Sequence, residues 1–400
     1  MIAERRGNAR LGVVAALGLI AAWGCSAAGP DGTEDAASRA DALHVQATRK
    51  AVSFDLFGRA NLIHGIAADE NFVFVTEPLN GHVAVHDRWT GDELGSVPAP
   101  PDGWLLPFAM RVAREGRLVV LDAGGFPNPG TLTIPRVYDY RYHRDPRTHS
   151  FVATLERAVK FDSVPVGFTE DVEVLDDGAY VVSDSILGSL WLVQRDGTVA
   201  PGIVADTPGV TAVPSLAPCT FDGAVEVGGI PFGLTGNFAP GVGSMATNGR
   251  HLYFGDSCKG GIYRVPVSSL SDASRSPSAR GDDVELASSG VPGQFEVMKG
   301  LAFNRHNHAD DRLYVADALR LRLIRVDVAT GQREIVAADP VLFNFPVATA
   351  FLPSGPGFET LLVSSDQEHR FAAINGKISQ DMFQPPFLVT EVALAKPRER

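Results

Sequence analysis

The residues of this sequence best suited to chemistry stand where short apolar segments open. His64, the Glu170–Asp171 pair and Lys299 each directly precede such a segment. If these openings meet in the folded chain, an imidazole, a carboxylate and an ammonium group share one cleft. Such a set can transfer protons or polarise a carbonyl group. The alternative is a structural ion pair beside an ordinary polar histidine.

These segments belong to a repeat that begins near residue 50. Each copy has a short apolar opening, a polar turn, a strand rich in β-branched residues and a further alternating strand. Period-2 alternation indicates half-buried strands, and several such four-stranded units around a ring form a propeller. The sequence therefore predicts an all-β, six-bladed β-propeller with four-stranded antiparallel blades. Both 51–57 and 387–394 resemble strands, and we expect one of them to complete a blade built mainly from the other terminus. The six copies open near residues 65, 110, 172, 245, 300 and 350.

An aspartate recurs where the β-branched strand ends. Side chains of this type accept hydrogen bonds from nearby backbone N–H groups in tight turns. We interpret the recurrence as turn capping rather than as a ring of metal ligands. The positions are Asp122, Asp184, Asp256, Asp317 and Asp366.

Two segments, 126–147 and 208–242, are longer than the repeat requires. Residues 208–242 are rich in Gly and Pro, and long loops in compact domains are usually functional. We expect this insertion to cover one mouth of the ring. It contains Cys219, which in an oxidising compartment would pair with Cys258. Two unpaired cysteines are the alternative.

The N-terminus has the features of an export signal. Three arginines precede the apolar run Leu11–Ala22, which is too short to span a membrane. The run ends in a sequence that resembles a bacterial lipoprotein signal, in which Cys25 would receive the lipid. We therefore predict a signal peptide over 1–25, a flexible linker over 26–48 and the propeller over 49–395. The chain would be exported and held at a bacterial membrane through its lipid anchor, and simple secretion is the alternative.

Composition and charge narrow the range of partners. The formal net charge of −12 disfavours a phosphate-binding surface, and with it nucleic acid. Hydrophobic residues make up 45% of the chain, enough to bury a substantial core. We expect a monomer whose partner is a small molecule or a carbohydrate.

The blade openings resemble those of the six-bladed gluconolactonase/regucalcin (senescence marker protein) family, most closely over Gly243–Ser257 and Lys299–Asp317. The resemblance extends over about residues 60–390 and reaches the strictosidine-synthase-like and NHL-repeat propellers. In the lactonase members, a Glu, two Asn and an Asp at the blade openings hold one divalent cation, usually calcium. Converging oxygens suit such an ion, which polarises a lactone carbonyl and helps to activate water.

The resemblance places His64 where the family has its Glu and Lys299 where it has its Asp. The Glu170–Asp171 and Gly243–Ser244 pairs stand at the two Asn positions. Glu170 or Asp171 is thus the metal ligand that the family pattern retains, whereas the ammonium of Lys299 would be repelled by calcium. We therefore expect the calcium site to be lost or rearranged, with Lys299 in place of the ion.

Two functions remain open. In the first, the chain is an exported hydrolase of a lactone or ester, with Glu170 or Asp171 as base or ligand and with His64 and Lys299 as acid–base or electrostatic groups. In the second, it is a non-catalytic cell-surface propeller that binds a carbohydrate, a peptide or a protein. A closed site with Lys299 within hydrogen-bond reach of Glu170 or Asp171 would favour the first function. An open channel with an apolar rim would favour the second.

Overall fold

The computed structural model describes residues 52–54, 62–114, 116–126, 133–206, 213, 216–217, 224–234, 241–305, 311–353 and 358–395. These residues form six four-stranded antiparallel sheets and one two-stranded hairpin, which confirms the predicted six-bladed propeller. The predicted signal peptide and linker lie outside the described residues. Within the described residues, no helix is long and apolar enough to cross a membrane.

Blades 1 to 3 each take their strands from one continuous part of the chain. Blade 1 contains β2 (Ile66–Ala68), β3 (Phe72–Glu77), β4 (His82–Asp87) and β5 (Glu93–Ser96). Blade 2 contains β6 (Pro107–Arg114), β7 (Arg117–Asp122), β8 (Arg136–Arg144) and β9 (Phe151–Lys160). Blade 3 contains β10 (Thr169–Val174), β11 (Tyr180–Asp184), β12 (Ser189–Val193) and β13 (Val199–Ile203).

A hairpin of β14 (Val225–Val227) and β15 (Ile230–Phe232) separates blade 3 from blade 4. Blade 4 contains β16 (Val242–Thr247), β17 (His251–Asp256), β18 (Ile262–Pro266) and β19 (Glu285–Ser288), with a one-turn helix α1 (Val267–Leu270) before β19. Blade 5 contains β20 (Met298–Phe303), β21 (Arg312–Asp317), β22 (Arg322–Asp327) and β23 (Arg333–Ala338).

The last blade joins the two ends of the propeller. It contains β24 (Pro346–Leu352), β25 (Phe358–Ser365), β26 (Phe387–Ala395) and, as its outer strand, β1 (Val52–Phe54). Val52 lies opposite Val389, and Phe54 lies opposite Phe387. The expected completion of one blade by the other terminus is therefore confirmed, and these backbone hydrogen bonds close the ring.

The first strand of each blade lines a central tunnel. These inner strands (β2, β6, β10, β16, β20 and β24) pack each on the next, and β24 packs on β2. We call the end of the tunnel where the inner strands begin the upper mouth, and the end where they finish the lower mouth. Clusters of buried apolar side chains from adjacent blades fill the spaces between the sheets, because one sheet cannot bury both of its faces alone.

The recurring aspartates act largely as predicted. Asp122 accepts hydrogen bonds from the backbone N–H groups of Leu105 and Leu106 at 2.7 and 2.9 Å. Asp184 accepts them in the same way from Gly167 and Phe168 at 2.8 and 3.1 Å. Each bond fixes the loop that leads into an inner strand, so turn capping is confirmed at these positions and the start of the inner strand is held in place.

Candidate functional site

The inner strands begin irregularly, and this irregularity sets the direction of their first side chains. The register with the second strand shifts between Thr169 and Val172 in β10, and between Lys299 and Ala302 in β20. Similar shifts occur in β6, β16 and β24. A bulge of this kind interrupts the alternation of a strand and redirects a side chain. Glu170 and Lys299 both lie in such bulges and can therefore meet across the tunnel.

Lys299 is the centre of the site. Its ammonium nitrogen lies 2.8 Å from a carboxylate oxygen of Glu368 and 3.3 Å from one of Glu170. These three side chains are at most 4% exposed. Since Glu170 is in blade 3, Lys299 in blade 5 and Glu368 in the segment after β25, one buried cation connects three parts of the ring.

His64 forms a second buried pair at the upper mouth. Its Nδ1 lies 3.0 Å from Oδ2 of Asp366, and its ring stacks on Phe108 with the ring centroids 3.8 Å apart. Asp366 also accepts a hydrogen bond from the backbone N–H of Glu368 at 2.9 Å. When the imidazole carries its proton on Nδ1, it donates that proton to Asp366, and Nε2 becomes a proton acceptor. The pair thus has the geometry of a general base oriented by a carboxylate.

Asp171 belongs to a different network. Its carboxylate accepts a hydrogen bond from the guanidinium group of Arg111 at 2.8 Å and from the backbone N–H of Met245 at 2.7 Å. Arg111 also donates to Glu173 at 3.1 Å. The structure brings Lys299 and Glu170 together beside His64, whereas Asp171 pairs with Arg111 instead.

Two segments close the upper mouth, and we call them together the cover: the β14–β15 hairpin and residues 366–384. The side chain of Asn375 donates a hydrogen bond to the carbonyl of Pro231 at 2.8 Å and joins the two. The hairpin lies within the 208–242 insertion, so the expected position over one mouth is confirmed for this part of it. Apolar side chains of the cover pack on the starts of the inner strands: Val227, Phe232, Phe371 and Ile374 against Phe108, Phe168 and Val347.

Cys258 lies in the same apolar cluster and is disulfide-bonded. Its predicted partner, Cys219, lies outside the described residues, as does Cys25.

A narrow space remains beside the His64–Asp366 pair. Its volume is about 10 Å³, enough for about one water molecule. His64, Asp366 and Glu368 supply its polar wall. A larger molecule can reach these groups only after the cover opens. The rest of the wall is mainly apolar: Leu62, Leu79, Leu106, Phe108, Phe126, Phe371 and Ile374.

Burial and charge set the protonation of the site. Burial opposes the charge of Lys299, but Glu368, Glu170 and Asp366 outweigh it and raise the lysine pKa. Burial raises the pKa of Asp366 to about 7. Burial, aided by the charge of Lys299, lowers the pKa of His64 to about 4. At neutral pH Lys299 is therefore charged, and His64 is neutral and able to accept a proton.

A polar cradle lies next to the lysine. Oγ of Ser257 is buried and has no hydrogen-bond partner in the part of the chain that the structure describes. The carboxylate oxygens of Glu170 accept no hydrogen bond from the described residues apart from their ion pair with Lys299. Gly243 lies between them. A Cβ at this position would stand 3.0 Å from Oε1 of Glu170 and 3.1 Å from Oγ of Ser257. The glycine thus preserves room at a place where two buried oxygens can accept or donate hydrogen bonds.

The arrangement does not fit a calcium ion. The ammonium of Lys299 occupies the position between Glu170 and Glu368 where a cation would bind. Glu170 and Asp171 pair with different cations of the chain, so they do not form a shared ligand set. Among the described residues, no group of three or more His, Cys, Asp or Glu side chains is arranged to hold a metal.

Asp366, Glu368 and His369 are not among the site residues that the sequence predicts. Asp366 fits the pattern of the turn-capping aspartates, and Glu368 stands beyond the repeat in a segment without a counterpart in the other blades. His369 is 0% exposed and stacks on Phe345, and neither ring nitrogen has a hydrogen-bond partner within the described ranges. The sequence signal that could have drawn attention to them is the cluster Asp-Gln-Glu-His at the end of β25.

Comparison with known proteins finds the fold but no close relative. No family model matches the sequence, and a search of curated proteins finds no match. Among solved structures, the major allergen Mala s 1 of Malassezia sympodialis superposes with a TM-score of 0.55 at 12% identity, covering 86% of this chain and 96% of the allergen. This likeness shows the fold alone.

Two further structures come from the family that the sequence resembles. A gluconolactonase from Xanthomonas campestris gives a TM-score of 0.47 at 13% identity, covering 86% of this chain and 88% of the enzyme. A calcium-binding regucalcin from Agrobacterium tumefaciens gives a TM-score of 0.48 at 16% identity, covering 84% of this chain and 92% of the regucalcin. The six four-stranded sheets establish the propeller fold, and the activity must be inferred from the site.

Replacing Lys299 by methionine should strongly destabilise the protein. The substitution keeps most of the volume but leaves two buried carboxylates without their cation, which costs about 3–5 kcal/mol for a pair of this kind. Urea unfolding of Lys299→Met measures the loss. The double variant Lys299→Met/Glu368→Gln should recover part of it. The exposed Lys377→Met serves as a matched control, and an equally small effect at both lysines would contradict a buried ion pair.

His369 should make stability depend on pH. Burial and the charge of Arg370 lower its pKa to about 3, below the unfolded value near 6.5. The histidine therefore contributes stability that is present above pH 6.5 and is lost as the pH falls towards 3, by at most about 1.4 kcal/mol per pH unit. The variant His369→Phe should show a shallower loss of unfolding free energy between pH 7 and pH 5. The exposed His143→Phe should keep the wild-type slope, and equal slopes for all three proteins would disprove the prediction.

Proposed function

We propose that this chain is a hydrolase that acts on a lactone or an ester at the upper mouth of the tunnel. The observation that carries the proposal is the closed site in which the His64–Asp366 pair lies beside Lys299. The site is closed, and Lys299 lies within reach of Glu170. This is the arrangement that favours an enzyme over a binding protein. A neutral, oriented imidazole next to a fixed positive charge provides the two elements that carbonyl hydrolysis requires.

The reaction follows from these positions. His64 takes a proton from a water molecule through Nε2 while the water oxygen attacks the carbonyl carbon of the substrate. Lys299 stabilises the negative charge that develops on the carbonyl oxygen, with Glu170 and Glu368 holding the ammonium in place. The tetrahedral intermediate then collapses, and the protonated His64 gives its proton to the departing oxygen. The products are a carboxylic acid and an alcohol, joined in one molecule when the substrate is a lactone.

The walls of the upper mouth indicate the kind of substrate. Leucine, isoleucine and phenylalanine side chains surround the space beside His64. Such walls favour aromatic or alkyl groups, since a sugar would leave its hydroxyl groups without partners there. We therefore propose an apolar lactone or ester rather than a sugar lactone.

The second candidate is a non-catalytic propeller whose buried charges are structural. The observation that favours it is the complete pairing of Lys299 with two carboxylates in a space that admits about one water molecule. In that case the cover stays closed, and ligands bind elsewhere on the ring.

We further propose that the chain is exported through residues 1–25 and lipid-anchored at Cys25, and that it acts as a monomer on a small molecule. The disulfide at Cys258 supports an oxidising compartment.

Hydrolysis assays separate the two candidates. An aromatic lactone such as dihydrocoumarin, an aryl ester such as phenyl acetate, and a sugar lactone are tested with calcium and with a chelator. We expect turnover of the aromatic substrates that is indifferent to chelator. His64→Asn should reduce kcat/KM by about 100-fold or more, and Asp366→Asn should also reduce it, because both alter the proton acceptor.

The exposed His143→Asn is the matched control and should retain full activity. His64 is neutral throughout the range from pH 6 to pH 8, whereas Asp366, with a pKa of about 7, must lose its proton to orient the imidazole. We therefore expect kcat/KM to rise between pH 6 and pH 8 and to level off at higher pH. Turnover that survives in His64→Asn, or that requires calcium, would refute the proposed mechanism. Absence of turnover on every substrate would favour the non-catalytic candidate.

A further inference from the structure

We propose that the lower mouth of the tunnel is a second ligand site, which takes a compact, uncharged and largely apolar small molecule. A cavity of about 420 Å³ lies there, between the ends of the inner strands. Its volume is in the usual range for small-molecule sites. It is separate from the space beside His64, with which it shares no lining residue.

Small side chains create this cavity. Five of the six inner strands, all except β10, contribute alanine to its wall, and β10 contributes Glu173 instead. Four of these alanines are buried in the apolar clusters between blades, whereas Ala113 and Ala350 are partly exposed at the cavity. The alanines are Ala67, Ala68, Ala113, Ala246, Ala302 and Ala350.

Charges at the cavity are already balanced. Arg111 pairs with Asp171 and Glu173 at 2.8 and 3.1 Å, and Arg305 donates to Glu173 and to the carbonyl of Val174. The charged residues of the wall are three cations and three anions: Arg111, Arg114 and Arg305 with Asp69, Glu70 and Glu173. Since a charged ligand would have to compete with these pairs, the site favours an uncharged one.

The remaining walls favour apolar contact. Phe303 and Phe351 supply aromatic faces, and Ile66 and Val112 supply aliphatic surface. The hydroxyl of Thr247 donates its hydrogen to the carbonyl of His251 at 2.9 Å and accepts one from the backbone N–H of Gly249 at 3.0 Å, so its hydrogen bonds are made within the blade. An uncharged molecule with an aromatic or alkyl body matches this lining.

Fluorescence titration with N-phenyl-1-naphthylamine tests the site, because this uncharged apolar probe becomes bright when it leaves water. Ala113 and Ala350 are partly exposed at the cavity and lie at the edges of two blade cores, so leucine at these positions adds bulk at the cavity wall. We expect the wild-type chain to bind the probe, and Ala113→Leu/Ala350→Leu to bind it at least tenfold more weakly. Each single variant should lie in between and covers the case in which the double variant fails to fold.

The matched control is Ala329→Leu, on an exposed turn, which should bind like the wild type. The anionic probe 1-anilinonaphthalene-8-sulfonate should bind at least tenfold more weakly than the uncharged one. No binding by the wild type, equal binding by the cavity variants, or tighter binding of the anionic probe would overturn the proposal. Probe binding is read without any hydrolysis, so its failure is distinguishable from failure of the proposed activity.

Discussion

The structure depends most on one buried charge, the ammonium group of Lys299. A cation removed from water is very costly unless carboxylates surround it, and here Glu170 and Glu368 approach it from two other parts of the ring. The two carboxylates can be buried in turn because the ammonium group balances their charge. The three groups therefore fix one another, and with them the starts of blades 3 and 5 and the segment that follows β25.

The rest of the upper mouth follows from this arrangement. Because residues 366–384 are anchored through Glu368, Asp366 is held against His64 and the apolar side chains of the cover lie over the tunnel. The cover in turn excludes water, which strengthens the ion pairs and keeps His64 neutral. The same tunnel is filled at one end and hollow at the other, because the inner strands change from bulky and charged side chains to alanines along their length.

Much of the fold could be predicted because each blade repeats the same sequence pattern, so that a weak copy is recognised from the clear ones. The alternation of apolar and polar residues in β4, β12, β18 and β22 indicates strands. The clear copies of the repeat at 65, 172, 245 and 300, together with two weaker copies, give the number of blades. The site was harder. His64, Glu170 and Lys299 could be selected by their place at the start of a repeat, whereas Asp171 pairs with Arg111 because adjacent residues of a strand point to opposite sides. Glu368 and His369 follow no repeat, and their positions depend on how the cover folds back over the mouth.

The ammonium group of Lys299 lies between two buried carboxylates, and we infer that it fills a position in which a divalent cation would otherwise bind. Calorimetric titration of calcium into the wild type and into Lys299→Ser tests it most directly, since the serine variant leaves Glu170, Asp366 and Glu368 around a space of about the size of an ion. We predict that the wild type shows no tunnel binding and that the variant binds one calcium. Calcium binding by the wild type that disappears in Glu170→Gln would contradict the account.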